Sequence, residues 1–390
     1  MPCDCSPDRV WNTHDAAKTP IRKVETTMKK QGFAGLLAAL ALFAGASAHA
    51  EEIKITDLTG KIITLEKPAE RIIAFPVPMA SMVIALDQGA DRLIAAHPEA
   101  YSAIAQGILG EFFPKAKALG TGILAGGAAQ GSKPNVEAIA ALRPDLVLQW
   151  AHAGEDNIAP LVNAGLNTAI VVSGDDDTYV QQSLTMLGQA IGKPERAKMI
   201  NDWHNDVIGK LQAGLKGVAE DKKPKVAYFF YSVDKLWTVG NNYHDGWQIG
   251  LTGGRNAAAD IDKWKQVSVE QVAAWNPEVI FISTFEDKAS VKRFYDDPVL
   301  GLTDAAKNKR VYQMPMGGYR WDPGSAESPL GWMWLADILQ PDLFNFDLRA
   351  EIKDWYPKLY GQTPTDKQID AILRMDMNAG AKGYERFAGK

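Results

Sequence analysis

Residues 135–148 read NVEAIAALRPDLVL, and residues 268–281 read SVEQVAAWNPEVIF, 133 positions later. Five of the fourteen aligned positions are identical: Val136/Val269, Glu137/Glu270, Ala140/Ala273, Ala141/Ala274 and Pro144/Pro277. Ile139/Val272, Asp145/Glu278, Leu146/Val279 and Val147/Ile280 are conservative exchanges. Each copy predicts a short amphipathic helix, a proline-marked break and a buried β-rich strand. Solenoid repeats recur every ~20–50 residues, so one echo at this distance marks two similar α/β lobes. Two facing lobes make a cleft, and a cleft points to ligand capture before it points to catalysis.

Outward from the first copy, Ile53 to Leu65 alternates apolar and polar residues around Thr59-Gly60, a hairpin pattern. Arg71 to Phe75 and Arg92 to Ala96 are short apolar strands, with a helix through Met79–Leu86 between them. Leu146–Trp150 and Ala169–Val172 complete the set, with a helix near Asn157–Ala164. Strands alternating with helices predict a parallel α/β sheet. The second copy has the same surroundings: a strand over Lys225–Tyr231, a helix over Asp245–Leu251, and a strand at Val311–Gln313. Leu330–Leu339 reads as a helix, and residues 342–390 as a helical tail bearing aromatics.

Between the lobes, Ala197, Ile200, Trp203, Val207, Leu211 and Leu215 form an apolar stripe at spacings of three and four, and Pro194 suits a first-turn position. The stripe predicts a rod from Pro194 to about Val218, roughly 36 Å long, able to hold two lobes at a set distance. The expected organisation is an N-terminal lobe at 51–192, a linker helix at 193–219, and a C-terminal lobe with its tail at 220–390.

The N-terminus carries an export signal. Met28-Lys29-Lys30 is a basic start, Phe33 to Ala46 an apolar run of small residues, and Ala48-His49-Ala50 an A-x-A cleavage site. Residues 28–50 are read as a signal peptide and residues 1–27 as a non-native upstream extension. Both cysteines, Cys3 and Cys5, lie in that extension, so the expected mature chain has neither a disulfide nor a cysteine for a lipid anchor. A free periplasmic protein, monomeric, is the expectation. The 46% hydrophobic and 23% charged content suits a soluble fold, and a net charge of −5 argues against nucleic-acid binding.

RIIAFPVPMASMVIAL (71–86), the two VE…P(D/E) units, the single linker helix and GLTGGRNAA (250–258) occur in an order and spacing that resembles the periplasmic solute-binding proteins of ABC importers for ferric siderophores, haem and vitamin B12. The resemblance spans roughly residues 53–340. It implies two α/β lobes joined by one backbone helix, with the ligand in the cleft between them. It also implies a metal-chelate ligand rather than a prosthetic group, an ABC permease dimer in the inner membrane as partner, and no enzymatic reaction. On each lobe such proteins carry an acidic residue that pairs with permease arginines, and Glu137 and Glu270 occupy those positions. The alternative is the plain role of a first-turn glutamate at a helix dipole, and the docking role is the expectation. Residues 342–390 make the chain longer than compact members.

Loops at the carboxyl ends of parallel strands form the usual binding edge. They supply Trp150 and His152 in the first lobe, and Tyr231, Trp237, Tyr243, Tyr319 and Trp321 in the second, as aromatic surfaces for a planar or anionic complex. Arg320, in GGYRWDP, is the candidate cation. His97, between the strand RLIAA and Pro98, could complete the coordination of a bound metal, or serve as an ordinary loop residue. Asp175-Asp176-Asp177 is read as a solvated charge run before a helix.

An oxyanion such as molybdate or tungstate is the alternative ligand, because it needs only a cation and backbone N–H groups. A secreted α/β hydrolase is a remote alternative: the chain has no GxSxG elbow, no HExxH and no Walker A pattern.

Overall fold

A computed structural model of the chain describes residues 52–125, 133–286 and 290–389. The signal peptide at 28–50 and the extension at 1–27 lie outside the described residues, as does part of the Gly/Ala-rich stretch at 126–132. Among the described residues, no helix is long and apolar enough to cross a membrane.

Each copy of the repeat folds as a cap, a helix, a break and a strand. Asn135 Oδ1 accepts from Ala138 N (3.1 Å) and Ser268 Oγ from Gln271 N (3.2 Å), capping helices Val136–Ala141 and Val269–Trp275. Arg143 and Asn276 take left-handed backbone conformations, with φ of 47° and 45°, and the prolines that follow stop any helical continuation. Asp145 Oδ2 then accepts from the backbone N–H groups of Glu70 and Arg71 (2.8 and 2.9 Å), and Glu278 Oε2 from that of Lys225 (2.8 Å). The side chains of Arg71 and Lys225 reach back to the carbonyls of Leu142 (2.6 Å) and Trp275 (2.8 Å). The repeat is therefore a clamp, built twice, that seats the first strand of each sheet against the repeat strand.

Around each clamp lies a parallel four-stranded sheet. The first has the order Leu93–Ala96, Ile72–Ala74, Leu146–Trp150, Thr168–Val171; the second has Arg255–Asn256, Lys225–Phe229, Val279–Ile282, Val311–Gln313. The spatial order is the same in both, so the duplication covers the whole sheet. Leu146 to Leu148 and Val279 to Ile282 are fully buried, each side chain contributing roughly 1.5–3 kcal/mol of transfer free energy.

Helix Pro194–Gly214 joins the lobes, with Ala197, Ile200, Trp203, Val207 and Leu211 buried. Its 21 residues span about 32 Å. The helix stops short of Val218, where Gly217 turns the chain at φ 84°, and Gly214 leaves room for the Phe344 ring, which a Cβ would approach to 2.5 Å. The aspartate run before helix Thr178–Ala190 is not wholly solvated: Asp177 is buried, and its Oδ2 lies 2.9 Å from His204 Nδ1 on the linker helix.

The tail reaches both lobes. Its helix Leu348–Tyr360 stacks Trp355 on Trp203 of the linker (centroids 3.8 Å, planes at 9°). On the first lobe, Gln88 Nε2 donates to the Pro357 carbonyl (3.2 Å), and the rings of Tyr356 and Tyr360 sit 6.3 and 6.5 Å from that of Phe112; from the linker helix, Arg196 Nη2 donates to the Lys358 carbonyl (2.7 Å). On the second, Met316 N donates to the Ile372 carbonyl (2.9 Å).

Candidate ligand-binding cleft

The segment that carries Arg320 is fixed from beneath. Gly317 N donates to the Tyr319 carbonyl at 2.9 Å, forming a tight turn. Under it lies Glu327, fully buried, whose carboxylate accepts from Gly318 N (2.8 Å), Trp321 Nε1 (2.6 Å), Tyr356 Oη (3.2 Å) and Tyr360 Oη (2.5 Å). Burial raises the Glu327 pKa, and the four donors oppose that rise. A Cβ on Gly317 would stand 2.0 Å from Glu327 Oε2, and one on Gly318 2.3 Å from Tyr360 Oη. Only glycine fits at either place.

So held, Arg320 is 3% exposed. Its Nε donates to the Thr284 carbonyl (3.2 Å), and its guanidinium lies 4.4 Å from the Phe285 ring centroid and 5.6 Å from that of Tyr319. Its carboxylate partner is Glu99, on the opposite lobe, at 3.8 Å, with Nη1 also 3.4 Å from the Glu99 carbonyl. Glu99 is half-exposed, and a long pair to a solvated carboxylate is weak. A buried guanidinium whose carboxylate partner is this distant retains hydrogen-bonding capacity for an anion.

His97, Trp150, His152, Tyr231 and Trp237 lie in or just after strands, and none of them lines the cavity beside Arg320. His97 follows Leu93–Ala96 and caps helix Pro98–Gln106, its Nδ1 accepting from Glu99 N at 3.2 Å. Burial lowers its pKa, so the ring is neutral at pH 7. Trp150 and His152, after Leu146–Trp150, pair their rings at 5.0 Å. Although His152 keeps solvent contact, surrounding protein and, secondarily, the Lys263 ammonium of the other lobe hold its pKa low. In the second lobe, Tyr231 contacts the rings of Phe230 (4.6 Å) and Phe285 (6.2 Å), and Trp237 that of Trp264 (5.1 Å). Desolvation first, then the charges of Glu99 and Glu286, raise the Tyr231 pKa.

Three of the aromatics singled out from sequence lie elsewhere. Trp321 is fully buried and committed to Glu327, Tyr319 is buried behind Arg320, and Tyr243 caps helix His244–Leu251, packed against the main core. Glu137 and Glu270 stand exposed on the first turns of the two repeat helices; a hydrogen bond with Ser268 lowers the Glu270 pKa. Sequence reasoning missed Glu99 and Lys263. The signal for Glu99 was available, since an acid two residues after a strand-end histidine sits in a helix's first turn at the cleft edge.

A cavity of about 490 Å3 opens beside Arg320, between the Ser102–Glu111 region of the first lobe, Thr284 and Glu286 of the second, and the tail from Gln368 to Met377. That volume suits a small organic molecule. Among the described residues, no three His, Cys, Asp or Glu side chains are grouped to hold a metal ion.

Comparison with known proteins agrees with this architecture. A family model described as periplasmic binding protein matches residues 119–316. A periplasmic solute-binding protein of Veillonella parvula, known as a crystal structure, superposes with a TM-score of 0.75 at 30% identity, covering 84% of this chain and 98% of that one. The molybdate-binding protein MolA of Haemophilus influenzae is 27% identical over 248 residues, 58% of this chain and 70% of its own. The Fe(3+)-citrate-binding protein YfmC of Bacillus subtilis is 26% identical over 183 residues, 46% of this chain and 56% of its own. Two clamped parallel sheets, a bridging helix, a cleft with one buried arginine and a family match across half the chain lead to one conclusion: the chain belongs to the periplasmic binding protein family, the solute-binding components of ABC importers.

Proposed function

We propose that this protein captures an anionic metal chelate of the iron–siderophore type beside Arg320 and delivers it to the permease dimer of an ABC importer. The observation that carries the reading is a guanidinium 3% exposed, facing a cavity of about 490 Å3 and paired only loosely with Glu99 at 3.8 Å. A bare divalent metal needs three or four converging protein donors, and the described residues offer no such group. The ligand would therefore bring its own donors. His97 accepts at Nδ1 from Glu99 N, so its neutral ring carries the proton on Nε2 and offers the ligand a hydrogen-bond donor rather than the metal ligand expected from sequence. Trp150, His152, Tyr231 and Trp237 supply the rim of the cleft, outside that cavity.

A second reading, an oxyanion such as molybdate, draws support from the likeness to MolA. It uses the same arginine, but such an ion occupies only a few water volumes, about 30 Å3 each, and leaves most of the cavity unused.

Glu137 and Glu270 are proposed as the permease contacts, one per lobe, where a spaced anionic pair sets orientation and association rate. Reversing both charges, Glu137→Lys with Glu270→Lys, leaves ligand affinity unchanged and abolishes transport by the reconstituted importer. Undiminished transport would sink the docking role.

The ligand reading is tested by native mass spectrometry and absorbance on the chain from Glu51 onward, purified from its host periplasm. A co-purifying iron, cobalt or nickel organic complex supports it. A protein that gains thermal stability only with molybdate or tungstate overturns it in favour of the oxyanion. Arg320→Met should weaken either ligand at least tenfold in a titration, since a charge-assisted hydrogen bond contributes about 1.5–3 kcal/mol.

A further inference from the structure

Resting on the cleft reading, we propose that the C-terminal extension is itself part of the ligand site. It forms a selectivity wall that receives a polar, flexible arm of the ligand bearing hydroxyl, amide or carboxyl groups. Five of the residues that line the cavity beside Arg320 come from the tail, Gln368, Ala371, Ile372, Arg374 and Met377, and they share it with Ser102, Gln106 and Glu111 of the first lobe. The wall is fixed to both lobes. Gln368 Nε2 donates to Glu111 Oε2 at 2.6 Å, Gln362 Nε2 to the Phe112 carbonyl at 3.0 Å, and Met316 N, four residues before Arg320, to the Ile372 carbonyl at 2.9 Å.

Two features give the ligand class. Thr284, 5% exposed, lines this cavity, and its hydroxyl has no hydrogen-bond partner among the described residues, although its own carbonyl accepts from Arg320. A buried hydroxyl left unpaired costs roughly 1–3 kcal/mol, which a ligand oxygen shared with Arg320 would offset. The second feature is the lining. It mixes hydroxyls, amides, carboxylates, Arg320 and Arg374 with Ile108, Ile372, two alanines and the methionines Met316 and Met377, and has no aromatic ring. The rings that gather near Arg320, Phe285 and Tyr231, do not line it. A flat or metal-bearing portion fits the aromatic region, and a hydrogen-bonding arm fits the tail side. A small tetrahedral oxyanion held at Arg320 would leave the wall untouched.

The test fills the wall from exposed positions, where substitution costs little stability. Ala371→Trp and Met377→Trp are made separately in the chain from Glu51 onward. Each is titrated with ferric citrate, a hydroxycarboxylate chelate, and with molybdate, beside Arg320→Met and Lys367→Trp, an exposed position on the same tail helix that does not line the cavity. The expected result is a loss of ferric citrate affinity of about tenfold or more in the Ala371→Trp and Met377→Trp variants, wild-type affinity in Lys367→Trp, and unchanged melting temperatures. Ferric citrate affinity that survives both tryptophans of the wall but falls in Arg320→Met overturns the wall and leaves the cleft reading standing. Affinity that survives Arg320→Met as well overturns the cleft reading and this proposal with it. A wild-type chain that binds molybdate alone, or neither probe at millimolar concentration, also overturns both.

Discussion

Asp245, Asp322 and Asp337 are carboxylic acids held out of water, and their pKa values move accordingly. Burial is the first cause for all three; for Asp245 the neighbouring Asp322 charge adds to it. Asp337 is pushed up to about 6, and one of its oxygens has no partner among the described residues. A raised pKa means that the folded protein keeps a proton the unfolded chain has released. The resulting stability is complete below about pH 4 and is lost as pH rises through the folded value. For Asp337 the window runs from about 4 to about 6, and Asp245 acts in the same direction at higher pH. Asp337→Asn keeps the oxygen that accepts from Phe346 N (3.1 Å) and removes the penalty. It should raise the melting temperature at pH 7.5 by about 2 °C and leave it unchanged at pH 4. An equal shift at both pH values would rule out titration of this group as the cause.

At the level of elements, the duplicated clamp was legible because all its parts lie within fourteen consecutive residues: a cap at Asn135 or Ser268, a turn at Arg143 or Asn276, an acid at Asp145 or Glu278. The acid acts on a strand that the sheet brings alongside, so its partner was not legible, only its place. The buried state of Asp177 was equally hidden, because its partner His204 lies one helix further on. Glu327 is the extreme case, collecting donors from Gly318, Trp321, Tyr356 and Tyr360 across two elements. Tyr356→Phe with Tyr360→Phe withdraws two of the four donors from a buried carboxylate, each loss costing about 1–3 kcal/mol. Urea denaturation should show the loss as a lower midpoint with an unchanged slope. The same variant should weaken ligand binding, since the Arg320 segment stands on Glu327.

For the molecule as a whole, the sequence pattern conveys two lobes and a connecting rod, and the sheets and linker helix have those places. The tail's path was not legible, because its contacts join residues up to 270 positions apart, and no local periodicity encodes such a distance. Its course has a mechanical meaning. One helix between two lobes is a single tether, whereas a tail bonded to Gln88 and Phe112 on one side and to Met316 on the other adds a second. Modest change on ligand binding is therefore expected, with backbone shifts in the cleft smaller than those of hinge-closing proteins. Small-angle scattering of the free and loaded protein should give radii of gyration that agree within error. A clear contraction would show that the tail releases one lobe.

The stacked indoles of Trp203 and Trp355, 3.8 Å apart in nearly parallel planes, give the molecule an optical signature. Two chromophores in fixed face-to-face register couple their transitions, so the pair should produce a split band in the circular dichroism spectrum that neither indole gives alone. Trp355→Phe should erase that band. Because one ring belongs to the rod and the other to the tail, the band reports, without any label, whether the tail is seated.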